Sequence, residues 1–167
     1  MIVNITTFTL IHTLISLVAI VSGLVVVGGL MARTRLDGWT GLFLVTTVLT
    51  NVTGFGFPFV VFMPSHGVGI LSLVILPVVI AARYWKNLAG PWRGVYVVGA
   101  VLVLYLNVFV LVVQLFRRLP ALLVAAPTQK EPPFLVTQLL MLVLFIVLGR
   151  AAFKGFHPEP DLSPVRR

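Results

Sequence analysis

The chain has 167 residues, 59% of them hydrophobic and only 10% charged, with a mean hydropathy of +1.12. A soluble domain carries roughly 25% charged residues, so this composition excludes a fold whose whole surface faces water. Twelve Lys and Arg against four acids give a net charge of +8, but the cations flank apolar runs instead of forming one patch, and nucleic acid is excluded as a partner.

The N-terminus, Met1-Ile2-Val3-Asn4-Ile5, lacks the basic start of a cleaved signal peptide, and Met31-Ala32-Arg33-Thr34-Arg35 follows the first apolar run where a small-x-small site would stand. That run is expected to stay as a span. Four more follow, each near the ~20 residues a helix needs to cross the hydrocarbon. The pattern predicts an all-α polytopic transmembrane bundle of five spans, at residues 8–31, 40–63, 66–85, 95–116 and 134–153. Residues 1–153 then form one bundle, and the tail 154–167, rich in proline and charge, extends into the cytoplasm. Gly54, Gly56 and Pro58 predict a distorted second helix, and Pro77 a kink in the third. Between the fourth and fifth runs, residues 119–127 are too few to cross and carry Pro120 and Pro127. They predict a helical turn lying at the interface. The last span opens on Glu131-Pro132-Pro133, where proline is tolerated and an acid suits the helix dipole.

Basic residues fix the orientation. With the N-terminus outside, Arg33, Arg35, Arg83, Lys86, Arg93, Arg150, Lys154, Arg166 and Arg167 fall inside, and Arg117, Arg118 and Lys130 outside. Trp39, Trp85 and Trp92 then share the inner boundary, as an interfacial indole belt requires.

Cysteine is absent, which excludes disulfides, thiolate nucleophiles and Cys-ligated metals. Asp37, Glu131, Glu159 and Asp161 all lie outside the apolar runs, against a buried carboxylate relay, paired-carboxylate hydrolysis or a carboxylate metal site. The expectation is a protein that is not an enzyme and has no catalytic residues. Neutral polar side chains remain: His12, Ser16, Ala19 and Gly23 on one face of the first span; Thr47, Thr50, Asn51, Gly54 and Pro58 on one face of the second; Ala100, Asn107, Gln114 and Arg118 along the fourth; and Gln138 in the fifth. At about 1.5 Å per residue, Asn51 and Asn107 come near the midplane, where amides and small residues cement helix seams. By the same measure His12, His66, Gln114 and Gln138 share the outer quarter. They form the candidate binding cluster, a pocket walled by Phe55, Phe57 and Phe59 that would suit a quinone, a lipid or another amphipathic ligand. His12 and His66 together could ligate a haem b iron, with Arg117, Arg118 and Lys130 for its propionates. Met63 beside His66 makes a weaker copper set, and His157 in the tail is expected in solvent.

Thr53-Gly54-Phe55-Gly56-Phe57-Pro58-Phe59, Tyr105-Leu106-Asn107-Val108-Phe109, and Ala126-Pro127-Thr128-Gln129 with Glu131-Pro132-Pro133-Phe134 resemble stretches of uncharacterised small bacterial inner-membrane proteins of about this length. The resemblance implies a bacterial inner-membrane location and brings no catalytic residues with it. The function expected is binding: a small subunit or accessory protein of a membrane complex, partnered by lipid and by other subunits or its own copies, or a lipid- or quinone-binding module. A haem b electron carrier is the alternative, and a small-solute transporter the third.

Overall fold

The computed structural model describes residues 5–57 and 64–157. Expectations placed on Pro58, Phe59, Met63 and the tail beyond His157 lie outside the described residues. Within them every regular element is helical: α1 (Ile5–Met31), α2 (Asp37–Gly54), α3 (Pro64–Ile80), α4 (Pro91–Arg118), α5 (Pro120–Ala125) and α6 (Pro132–Gly155). Four segments, Thr6–Met31, His66–Trp85, Pro91–Arg118 and Pro132–Gly155, are long and apolar enough to cross a membrane. The molecule is therefore a helical bundle of multi-pass character.

Helix α2 starts earlier and stops sooner than the apolar run suggested. Its N-terminus takes in Asp37, and its regular part ends at Gly54. The Phe55 and Gly56 amides then bond three residues back, to the carbonyls of Val52 and Thr53. Gly54 and Gly56 are poor helix formers, and Pro58 biases Phe57 away from helical angles. Helix α3 passes through Pro77 and leaves α geometry only beyond Ile80, in one π-helical turn, Ala81–Trp85. The Leu88 amide closes that end on the Ala82 carbonyl, 3.0 Å away. Asn87, Leu88 and Gly90 all have positive φ there, and burial of the Leu88 side chain holds a backbone conformation that a leucine disfavours. The segment expected at the interface does contain a short helix, α5, which buries none of its side chains. Beyond it, the Glu131 carboxylate accepts from the Thr128 hydroxyl at 2.8 Å and from the amides of Thr128 and Lys130 at 3.2 and 3.0 Å. Desolvation pushes this carboxyl up, but those hydrogen bonds outweigh it and hold Glu131 below the usual range.

The bundle is built around α4, which packs against α1, α3, α5 and α6. Its apolar window is 56% buried, against 17% for that of α6. Close approach depends on glycine. Gly23 of α1 receives Leu104 of α4 and Phe43 of α2, and a Cβ there would meet them at 2.6 and 2.8 Å. At Gly155 a Cβ would stand 2.7 Å from the Met31 carbonyl oxygen, so α6 rests on the end of α1 by backbone contact. Helix α2 runs back along α1 for its full length. Leu36 lies at Gly29, Phe43 at Gly23, Thr53 at His12, and Gly56 opposite Phe8.

Most polar side chains inside the bundle are satisfied by their own helix. The hydroxyls of Ser16, Ser22 and Thr46 donate to the carbonyls of His12, Val18 and Leu42, and the Asn51 amide donates to the Thr47 carbonyl at 2.8 Å. Asn107 crosses between helices, its Nδ2 donating to the Thr47 hydroxyl at 3.3 Å. Interhelical hydrogen bonds in membranes contribute about 0.6 kcal/mol on average and up to roughly 2. Asn107→Leu should therefore lower the unfolding midpoint in detergent modestly without blocking insertion, and Asn51→Leu should cost less. Equal losses for the two, measured side by side, would show that the cross-helix bond contributes nothing of its own.

Candidate functional site

Three places in the bundle gather groups with chemical potential. The first is the end that holds the histidines. His12 Nδ1 lies 2.8 Å from the Thr53 hydroxyl. That hydroxyl also lies 2.6 Å from the Leu49 carbonyl; with its proton directed there, a neutral His12 donates to it from Nδ1. Nε2 is left with the lone pair. The His12 ring meets Phe57 edge-on, with centroids 5.1 Å apart. His66 is buried and lies nearly parallel to Phe55 at 6.1 Å. Both histidines thus flank the same short stretch of chain, Thr53 to Phe57, from opposite neighbours of α2.

The two glutamines of the expected cluster find their partners on other elements. Gln114 accepts from Arg118 Nε, one turn on in α4, at 3.5 Å. Gln138 is buried between α6 and α4, with Nε2 donating to the Phe109 carbonyl at 3.3 Å. Its Oε1 has no hydrogen-bond partner among the described residues, and neither has the buried hydroxyl of Thr50.

The second place, at the opposite end, was not singled out from the sequence. Arg83 sits in the π-helical turn with its side chain 3% exposed. Its Nη2 pairs with Asp37 at the start of α2, whose carboxylate remains 69% exposed and is also 3.8 Å from Arg35. The guanidinium lies 5.5 Å from the Tyr96 ring centroid and 6.0 Å from that of Tyr84. Tyr96 in turn reaches the Thr40 hydroxyl at 3.4 Å. Nε and Nη1 of Arg83 are buried without a partner among the described residues. An arginine in the last turns of an apolar run must pair or snorkel. Asp37 is the only acid the sequence offers at that end among the described residues, and this was the available clue.

The third place is a groove of ≈ 480 Å³ on the outer face between α4 and α6. Its walls are apolar, with Val98, Leu102 and Tyr105 on one side and Phe145, Ile146 and Gly149 on the other. Arg150 and Lys154 border one end. Both are exposed, and neither takes part in a hydrogen bond or ion pair among the described residues. Past Phe153 the groove meets a second hollow of ≈ 480 Å³ beside Gly90 and Gly94. Arg93 holds the two helices together there. Its Nη1 donates to the carbonyls of Phe153, at 3.1 Å, and Phe156, and its guanidinium covers the Phe153 ring at 5.0 Å. Among the described residues no group of three or more His, Cys, Asp or Glu is placed to hold a metal ion.

Removing one partner of a buried ion pair strands the other, at roughly 3–5 kcal/mol when both are buried. Asp37 is mostly in solvent, so Asp37→Asn should cost less, about 1–2 kcal/mol. The double variant Asp37→Asn/Arg83→Met should melt higher than Asp37→Asn alone, since no unpaired guanidinium remains. The opposite order of midpoints would mean that Arg83 stabilises the bundle without its carboxylate. No protein-family model, curated protein or solved structure matches this chain.

Proposed function

We propose that this chain is a five-span protein of a bacterial inner membrane, N-terminus outside and C-terminus in the cytoplasm, that acts by binding an amphipathic molecule and performs no catalysis. The observation that carries the binding reading is the groove between α4 and α6. It is apolar along its body and cationic at one end, the shape and polarity of a site for a molecule with a long apolar part and a polar head. The protein would work as a ligand-binding module or as the accessory subunit of a larger membrane assembly, with other subunits or its own copies as partners.

Five spans follow if α2 crosses with its neighbours. At 18 residues, or about 27 Å, it nearly matches the ~30 Å hydrocarbon layer. It also lies alongside α1 from Gly29 to Phe8, so a membrane crossed by α1 contains α2 as well. Its polar face, with Thr40, Thr47 and Asn51 buried inward, explains why its composition alone falls short. The excess of Lys and Arg at the end that holds Arg83 and Lys154 supports a cytoplasmic location for that end. Reporter fusions after Ala32 and after Arg150 should both report cytoplasm, and one after Pro64 the outside. A cytoplasmic Pro64 together with a cytoplasmic C-terminus would remove α2 from the spans.

A second reading, haem b held by His12 and His66, draws on the free lone pair at His12 Nε2 and on the position of both imidazoles beside Thr53–Phe57. Mass spectrometry and a visible spectrum of the protein purified in mild detergent separate the readings. The binding reading expects a colourless protein with a co-purified amphipathic molecule near one per chain. A Soret band would favour haem. A colourless protein that retains no small molecule would refute the groove as a functional site.

A further inference from the structure

We infer that the α4–α6 groove selects an anionic phospholipid, with an acyl chain along the apolar wall and the phosphate against Arg150 and Lys154. This rests on the binding reading above and names the ligand class. Any lipid-facing groove in a membrane is filled by lipid, so the apolar wall alone selects nothing. Selectivity comes from the rim. Arg150 and Lys154 are one turn apart on α6 and border the same groove, so a single headgroup can meet both. Neither is neutralised among the described residues, and the only described acids, Asp37 and Glu131, line neither hollow. Arg93, beside the rim, is already held by two backbone carbonyls and adds positive field without competing for the phosphate.

The dimensions agree with one lipid leaflet. Lys154 and Leu142 mark the ends of the groove along α6, roughly 18 Å apart at the helical rise. Half of the hydrocarbon layer is about 15 Å, so the groove ends where an acyl chain ends, near the bilayer centre. Gly149 keeps the upper wall open, because the helix presents no side chain there beside Val101. A neutral quinone would use the same wall but leave both cations unpaired. A phosphodiester pairs with them, and each cation near a membrane surface favours an anionic lipid by about fivefold.

The test uses the full-length protein, delipidated in detergent and incubated with phosphatidylglycerol, phosphatidylcholine or a long-chain ubiquinone, with bound molecules counted by native mass spectrometry. Phosphatidylglycerol should be retained over phosphatidylcholine by roughly tenfold or more. Arg150→Gln/Lys154→Gln should abolish that preference, bringing phosphatidylglycerol retention down to that of phosphatidylcholine. Val98→Trp, at a lipid-facing position 55% exposed where a larger side chain disturbs no packing, should reduce retention of every probe. Equal retention of both phospholipids by the native chain, with loss of both in Val98→Trp, would overturn the anionic assignment and keep the groove. Preferential retention of ubiquinone would do the same. Phosphatidylglycerol retention undiminished in Val98→Trp would show the lipid bound away from the groove and overturn the inference. A delipidated protein that retains no probe would overturn both this inference and the binding reading.

Discussion

Helix α4 touches α1, α3, α5 and α6, and through Thr40 and Thr47 it reaches α2 as well, so the packing along this one helix fixes where the others stand. Within a bilayer no hydrophobic force draws helices together, and association depends on close contact and hydrogen bonds. The glycines supply the contact. Gly23 admits Leu104 and Phe43 into one notch, and Gly99 admits Val79. Polar bonds to α4 are spread along it: Arg93 and Tyr96 near one end, Asn107 near the middle, and the Phe109 and Val113 carbonyls, which accept from Gln138 and Gln129, beyond it. Between Tyr96 and Asn107, Phe43, Val103 and Leu104 are fully buried.

The peripheral helix has a different basis. Helix α6 is mostly exposed, and it stays in place through its C-terminal end, where Arg93 accepts the task of capping the last carbonyls and Gly155 lies on the end of α1. Orphan carbonyls at a helix C-terminus need such donors. The groove opens from that anchored end, which is why cationic side chains and a lipid-sized hollow occur together there.

Much of this was legible in the sequence, and the reasons differ by element. Four apolar runs announce their helices because composition and length alone decide the matter. The Pro120–Pro127 segment reads as a short helix for the same reason. The end of α2 at Gly54 was blurred by the phenylalanines that follow, which prolong hydrophobicity past the point where glycine stops the helix. His12 and His66 were matched by depth, and the chain does bring both beside Thr53–Phe57; Gln114 and Gln138 shared that depth but turn to Arg118 and the Phe109 carbonyl. The Arg83–Asp37 pair was missed because 46 positions separate its members, and no local periodicity links them. The groove was invisible because apolar residues that face lipid and those that face α4 have the same composition.

Helix α2 carries a further implication for how the protein is made. Its inward face places Thr40 against Tyr96 and Thr47 against Asn107, and both partners belong to α4, which emerges from the ribosome later. On the five-span reading, α2 enters the membrane before its polar face has a cover. Until then α1 and α3 are the neighbours available to it, and Asp37 with Arg83 ties α2 to the end of α3. Biogenesis should therefore pass through a three-helix hairpin whose open side stays hydrated or chaperoned until α4 arrives. A chain interrupted before residue 91 would lack both of the α4 partners of that face.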